Sequence, residues 1–257
     1  MTDLLIKKHV DDYTVRLWTE QRYNYFVAGR TLWNRNHMEM GALMYGYAIE
    51  AYVKCSWALF ENSASNNAMQ RHNFMEFFQI TSRDGHFSDV EIPQELLEFS
   101  HDHFHRRYPQ QTHESARQAK KAGRCLALTP NVGTYLEKFI ILLDDSITKA
   151  YGLGKVSILF KAAHDAESQR GMDFFSGNVP VLKRLDLIVG YLEEEISILK
   201  NSKEHASDYE AHTKHTQGTI SLMQRLKQNN ESLINGPCTD LKSFTNPGIP
   251  NGWYKSP

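Results

Sequence analysis

The segment Met38 to Phe60 constrains this chain more than any other. Ala42, Tyr45, Ile49, Val53, Trp57 and Phe60 recur at steps of three and four, and Leu43, Ala48, Ala51 and Tyr52 widen that stripe around the cylinder. A helix with so little polar surface needs neighbours on several sides, so the pattern calls for a bundle with this helix at its centre. Gly41 and Gly46 each lower helix propensity by about 1 kcal/mol relative to alanine. Their expected role is to let a packed neighbour approach closely.

The neighbours are legible on both sides. Val15, Trp18, Tyr25, Phe26 and Leu32 predict a long first helix from Asp11 to about Trp33, and Ala68 to Ile80 predicts a short third one. Pro93 opens a fourth helix that Pro109 ends, because the residue before proline avoids helical dihedrals. Thr129-Pro130 is a capping hydroxyl followed by proline at the first helical position, and Gly152 is a plausible stop. Between them Val132, Leu136, Phe139, Ile140, Leu143, Ile147 and Tyr151 form the stripe of a fifth helix that closes the bundle.

Beyond the Gly152 to Gly154 boundary the pattern predicts a helix near Lys155 to Gln169, a Gly/Pro loop from Gly171 to Pro180, and a helix from Val181 to Lys200. A polar helix then runs through about Asn230 as an extended arm, and Gly236 to Pro257 is an irregular tail suited to lying over a partner surface. Val156 to Phe160 also admits a short strand. The fold class is all-α: an antiparallel helical bundle over residues 1–152 with a C-terminal helical extension over 153–257.

Lysine plus arginine (29) balance aspartate plus glutamate (30), so no bulk field draws the whole molecule to nucleic acid or an anionic membrane, and a polyanion site must be local. The longest wholly apolar runs, such as Phe139 to Leu143, are too short to span a bilayer, and Met1 to Val10 lacks a signal-peptide core. No membrane partner and a cytoplasmic location are expected. Cys55, Cys125 and Cys238 are odd in number and far apart, which supports neither a disulfide framework nor a zinc finger.

The densest chemistry is Phe104 to His113, Phe-His-Arg-Arg-Tyr-Pro-Gln-Gln-Thr-His, where the fourth helix meets its terminating proline. Arg106 and Arg107 offer forks of donors suited to phosphate, Tyr108 a phenol, and His113 a proton exchanger near neutral pH. The ordinary structural alternative is Arg107 paired with a core carboxylate and His113 solvated. Downstream, Arg117, Lys120, Lys121 and Arg124 continue a basic stretch with only Glu114 among them; it is either a solvated helical face or a track for a phosphate backbone. Glu50 and Lys54, four apart on the second helix, are either an exposed pair or an inward-facing one. His72, after Arg71, is a surface or core histidine, or a member of the same pocket. His101 and His105 share a helix face, but no third zinc ligand accompanies them, so no metal site and no cofactor are expected. Asp144-Asp145 reads as a solvated pair before a helix end.

Three motifs carry a resemblance: Gly46-Tyr-Ala-Ile-Glu-Ala-Tyr-Val-Lys54 on the second helix, Arg71-His72-Asn73-Phe74 at the third, and Arg107-Tyr108-Pro109 after the fourth. In order and spacing, about 60% of the chain, from the first helix through Gly152, resembles a HEPN domain. HEPN domains are all-α bundles of prokaryotic RNases, of toxin–antitoxin and defence systems, and of nucleotidyltransferase accessory proteins. The resemblance implies a dimer with an arginine and, four to six residues later, a histidine near the two-fold interface. Arg107 and His113 meet that spacing, and Arg106 meets it one residue longer. It further implies that Glu50 orients Arg107 or another basic group, and that the activity is metal-independent RNA cleavage. Pro109 departs from the family pattern, in which the motif runs on within a helix. Rival expectations are a non-catalytic module binding a nucleotide, RNA or a partner protein such as a nucleotidyltransferase or antitoxin, and a structural protein that assembles through its extension.

Overall fold

The computed structural model describes residues 12–59, 75–76, 78–79, 87, 89–105, 117, 121, 128–151, 154–201, 206–237 and 240–244. These residues form helices and turns, with no strand among them, so the fold is all-α. Helices α1 (Asp12–Asn34) and α2 (Met38–Leu59) are joined by a tight turn in which Asn36 takes a φ of 63°, a left-handed conformation that asparagine tolerates better than most residues. Helix α3 spans Gln94–His105 and α4 spans Pro130–Tyr151. A 3₁₀ turn at Gly154–Val156 leads into α5 (Ile158–His164), α6 (Gln169–Phe175) and α7 (Val179–Leu182). The chain continues through α8 (Leu185–Asn201), α9 (Ala206–Asn229), α10 (Glu231–Ile234) and a 3₁₀ turn at Leu241–Ser243.

Helices α1 and α2 run antiparallel and cross at glycines. A Cβ on Gly29 would lie 2.6 Å from the Tyr45 ring, and one on Gly41 would lie 2.9 Å from the Gly29 carbonyl oxygen. The backbones therefore touch there, which is the role the sequence predicts for Gly41. Tyr45, Ala48, Ile49, Tyr52 and Val53 of α2 are fully buried, as a central helix requires. One buried cluster runs from Tyr23 and Phe26 through Phe139 and Ile140 to Val156, Phe174, Ile188 and Phe244, on both sides of Gly154.

Two polar layers cross this core, each built from an arginine of α1, a tyrosine of α2 and a carboxylate of α4. In one, Arg30 Nη1 lies 2.5 Å from Glu137 Oε1, and Tyr45 donates its hydroxyl to the same oxygen at 2.6 Å. Arg30 also donates to the carbonyls of Asp173, at 2.8 Å, and Ser176. In the other, Tyr52 donates to Asp144 Oδ1 at 2.8 Å, with the Arg22 guanidinium 3.7 Å from that oxygen and 4.7 Å above the Tyr52 ring. Arg22 donates to the Val156 carbonyl at 2.8 Å, while the Ile158 amide (3.0 Å) and the Ser157 hydroxyl donate to Asp144. The layers lie eight residues apart on α1 and seven on α2 and α4, which is two helical turns. Any one-turn slip of one helix would break both, so the pair fixes the register of all three.

Asp144 is therefore not the solvated residue the sequence suggests. It is fully buried, and burial pushes its carboxyl up, against the opposing pull of Arg22, Ser157, the Ile158 amide and Tyr52. Asp145, partly exposed, takes a two-nitrogen contact from Arg184, at 2.8 Å from Nε and 2.6 Å from Nη2.

The helix expected near Lys155 to Gln169 is present as the 3₁₀ turn and α5, so Val156 to Phe160 takes the helical reading rather than the strand it also admits: Ser157 accepts the Leu159 amide and caps α5. Elsewhere the extension differs from expectation in three places, each for a local reason. Gly171 to Pro180 is not a loop, because Ser168 caps α6 through the Gly171 amide and Asn178 caps α7 through the Val181 amide. The polar helix α9 is no free arm, since Thr216, Thr219 and Met223 are buried, with α8 and α5 beside it. The described part of the tail covers the chain's own surface: Phe244 is 5% exposed, edge-on to Phe99 and Tyr135 at 5.8 and 5.1 Å.

Candidate functional site

Positions 46, 50 and 54 of α2 lie on one face at four-residue steps. At the first, the absent Cβ makes room for Phe104: a Cβ on Gly46 would lie 2.7 Å from the ring and 2.9 Å from Phe104 Cβ. Tyr47 completes the seat, edge-on to the same ring at 5.1 Å. One turn further, Glu50 is 5% exposed, and Lys54 Nζ approaches its Oε1 at 3.3 Å from a largely buried side chain. Of the two sequence readings for this pair, the inward-facing one is the structure. A pair so enclosed is shielded from water, unlike a surface ion pair.

Phe104 is the first residue of the dense stretch, and α3 ends at His105, so the described chain reaches the Glu50 face of α2 at the point where that stretch begins. Arg106, Arg107, Tyr108, His113 and His72 lie outside the described residues, as do the Arg71 to Phe74 motif, Lys120 and Arg124. Arg117 and Lys121 are described, and both are helical and exposed. The His101 and His105 rings meet edge-on at 4.2 Å, and His103 is buried against Phe99 at 4.4 Å. Among the described residues no group of three His, Cys, Asp or Glu is placed to hold a metal ion.

A second constellation escaped the sequence reading. Glu195 of α8 stands between His164 of α5 and the His212 and Thr216 of α9. His212 Nε2 is 3.2 Å from Glu195 Oε1, and Thr216 donates to Oε2 at 3.2 Å. His164 Nε2 lies 3.1 Å from the same Oε2, an ion-pair separation off the line of a hydrogen bond. The His164 ring also stacks near His215, with centroids 5.9 Å apart. A cavity of about 290 Å³ opens beside this group. The signal was present but split: Glu195 falls three residues after the buried Leu192, and His212 and Thr216 are four apart on a helix that looked solvated.

Burial disfavours the Glu195 charge, but contact with His164 and then His212 outweighs it and holds the carboxyl below its ordinary value of 4.5. A depressed folded-state value contributes stability that is full above the ordinary value and lost as pH falls through the folded one. The urea midpoint of the wild type should therefore drop more steeply below about pH 4.5 than that of Glu195→Gln. Parallel midpoints down to pH 3 would refute this assignment.

No protein-family model, curated protein or solved structure matches the chain. No helix among the described residues is long and apolar enough to cross a membrane.

Proposed function

We propose that this protein is a HEPN-type, metal-independent endoribonuclease that works in the cytoplasm as a homodimer in a toxin or defence setting. The observation that carries the reading is the seat of Phe104 on Gly46, one turn from the enclosed Glu50–Lys54 pair. It ties the start of the Arg106, Arg107, Tyr108 and His113 stretch to the helix on which the motif resemblance puts the companion half of the site. An acid kept beside a lysine and away from water is a rigid anchor, suited to orienting a guanidinium without meeting substrate itself.

The chemistry in this reading is in-line attack by an RNA 2′-hydroxyl on the adjacent phosphorus. His113 takes the 2′ proton as the O2′–P bond forms and the P–O5′ bond breaks, and a proton returns to the departing 5′ oxygen. Arg107, assisted by Arg106 and Tyr108, stabilises the charge on the five-coordinate phosphorus centre. The products are a 2′,3′-cyclic phosphate and a free 5′-hydroxyl. Wild-type protein should cleave single-stranded RNA in EDTA, with Arg107→Ala and His113→Ala each slowing cleavage by about 100-fold or more. Undiminished cleavage by both variants overturns the assignment. So does intact RNA with the wild type across a panel of sequences.

A further inference from the structure

The cavity between the 3₁₀ turn, α5, α8 and α9 has chemistry of its own, and its described lining shares no residue with the Gly46 to Lys54 face. Its walls are apolar and aromatic: Phe160, Tyr191, Ile198 and Leu199. Gly154 holds the Tyr191 ring close, since a Cβ there would lie 2.6 Å from it. Its polar groups are acids and a histidine. Glu195 has its two oxygens turned toward His164 and His212, so its charge is shared, whereas Glu194 at the rim is exposed and joined by no ion pair among the described residues. The field inside has the same sign. Burial first, and then Asp144, Asp145 and Glu194, push the Tyr191 phenol up, with Arg184 the opposing charge.

We infer that this cavity is a binding site for a small organic ammonium ion with an aromatic or aliphatic body. About 290 Å³ is the small end of the range for ligand pockets. The aromatic walls favour a cation lying over a ring face, and Glu194 supplies the unshared carboxylate for an N–H⁺ donor. An anion of equal size would meet the Glu194 and Glu195 carboxylates, with no lysine or arginine among the described lining residues to receive it. This inference is independent of the ribonuclease reading and stands or falls separately.

Titration calorimetry with three probes of one shape and different charge tests it: tryptamine, tryptophol and indole-3-acetate, each added to the full chain. Tryptamine should bind about tenfold more tightly than tryptophol, and indole-3-acetate should not bind measurably. Glu194→Gln should bring tryptamine down to the affinity of tryptophol and leave tryptophol unchanged. Ile198→Trp, at a position 55% exposed and therefore tolerant of substitution, should fill the cavity and abolish binding of both. Equal affinity for the three probes, no binding of tryptamine, or tryptamine binding that survives both substitutions would overturn the inference.

Discussion

Replacing Asp144 with asparagine should lower the free energy of unfolding by about 3–5 kcal/mol, the penalty of leaving one member of a buried ion pair without its partner. The shape of the side chain is kept, so no cavity term enters. What changes is that Arg22, fully buried, keeps its charge and its donation to the Val156 carbonyl but loses the carboxylate 3.7 Å away. Tyr52, Ser157 and the Ile158 amide lose the anionic acceptor on which they converge. Such a loss is a large part of the total stability of an ordinary domain, roughly 5–15 kcal/mol. Urea unfolding followed by circular dichroism measures it. The double variant Arg22→Met with Asp144→Leu should cost less than the sum of the two single changes, because it removes both charges together. A single-variant loss below about 1 kcal/mol, as for a surface pair, would mean that this layer does not set the helix register.

That layer also shows where a sequence can and cannot be read. The bundle was legible because its signals are local: the stripe of α2, Pro93 ahead of α3, and Thr129-Pro130 at the head of α4. The position of Asp144 was legible too, four residues after Ile140 and three before Ile147, both fully buried on α4. Residue type overruled position, since two adjacent aspartates near a helix end read as solvated. The partners that reverse that judgement, Arg22 and Tyr52, lie 122 and 92 residues away in sequence, and no local pattern couples them. Separation along the chain, here 31 residues to His164 and 17 to His212, also hid the Glu195 group, whose members come from three helices. In the extension, the short capped helices α6 and α7 read as a loop. Seven residues of α6 carry too little periodicity to outweigh a glycine, and the deciding features are the hydroxyl of Ser168 and the amide of Asn178. Of the expected site, Glu50 and Lys54 were legible as a four-residue pair, but facing inward rather than outward is a property of the neighbours.

Gly46→Ala separates the role of the site from the stability of the fold. The new methyl would meet Phe104 Cδ2 at 2.7 Å and Phe104 Cβ at 2.9 Å. Because Cβ is fixed to the backbone of α3, turning the ring cannot relieve the contact, and the end of α3 must move off α2 by a few tenths of an ångström. Overpacking of this kind costs about 1–3 kcal/mol, against which the better helix propensity of alanine returns about 1 kcal/mol. The net effect on unfolding should therefore be small, well short of unfolding the bundle. The effect on RNA cleavage should be larger, roughly 10- to 100-fold in rate, because catalysis by positioned side chains falls steeply with displacements below an ångström. Gly190→Ala on α8 is the control: nothing lies within 4 Å of the added methyl, so it should gain about 1 kcal/mol of helix stability and cleave as the wild type does. Cleavage rates for the two alanine variants, measured well below their melting temperatures, decide between the readings. If Gly46→Ala cleaves like Gly190→Ala, the seat of Phe104 serves packing alone. If cleavage falls while stability holds, the contact between α2 and the end of α3 sets the geometry of the chemistry.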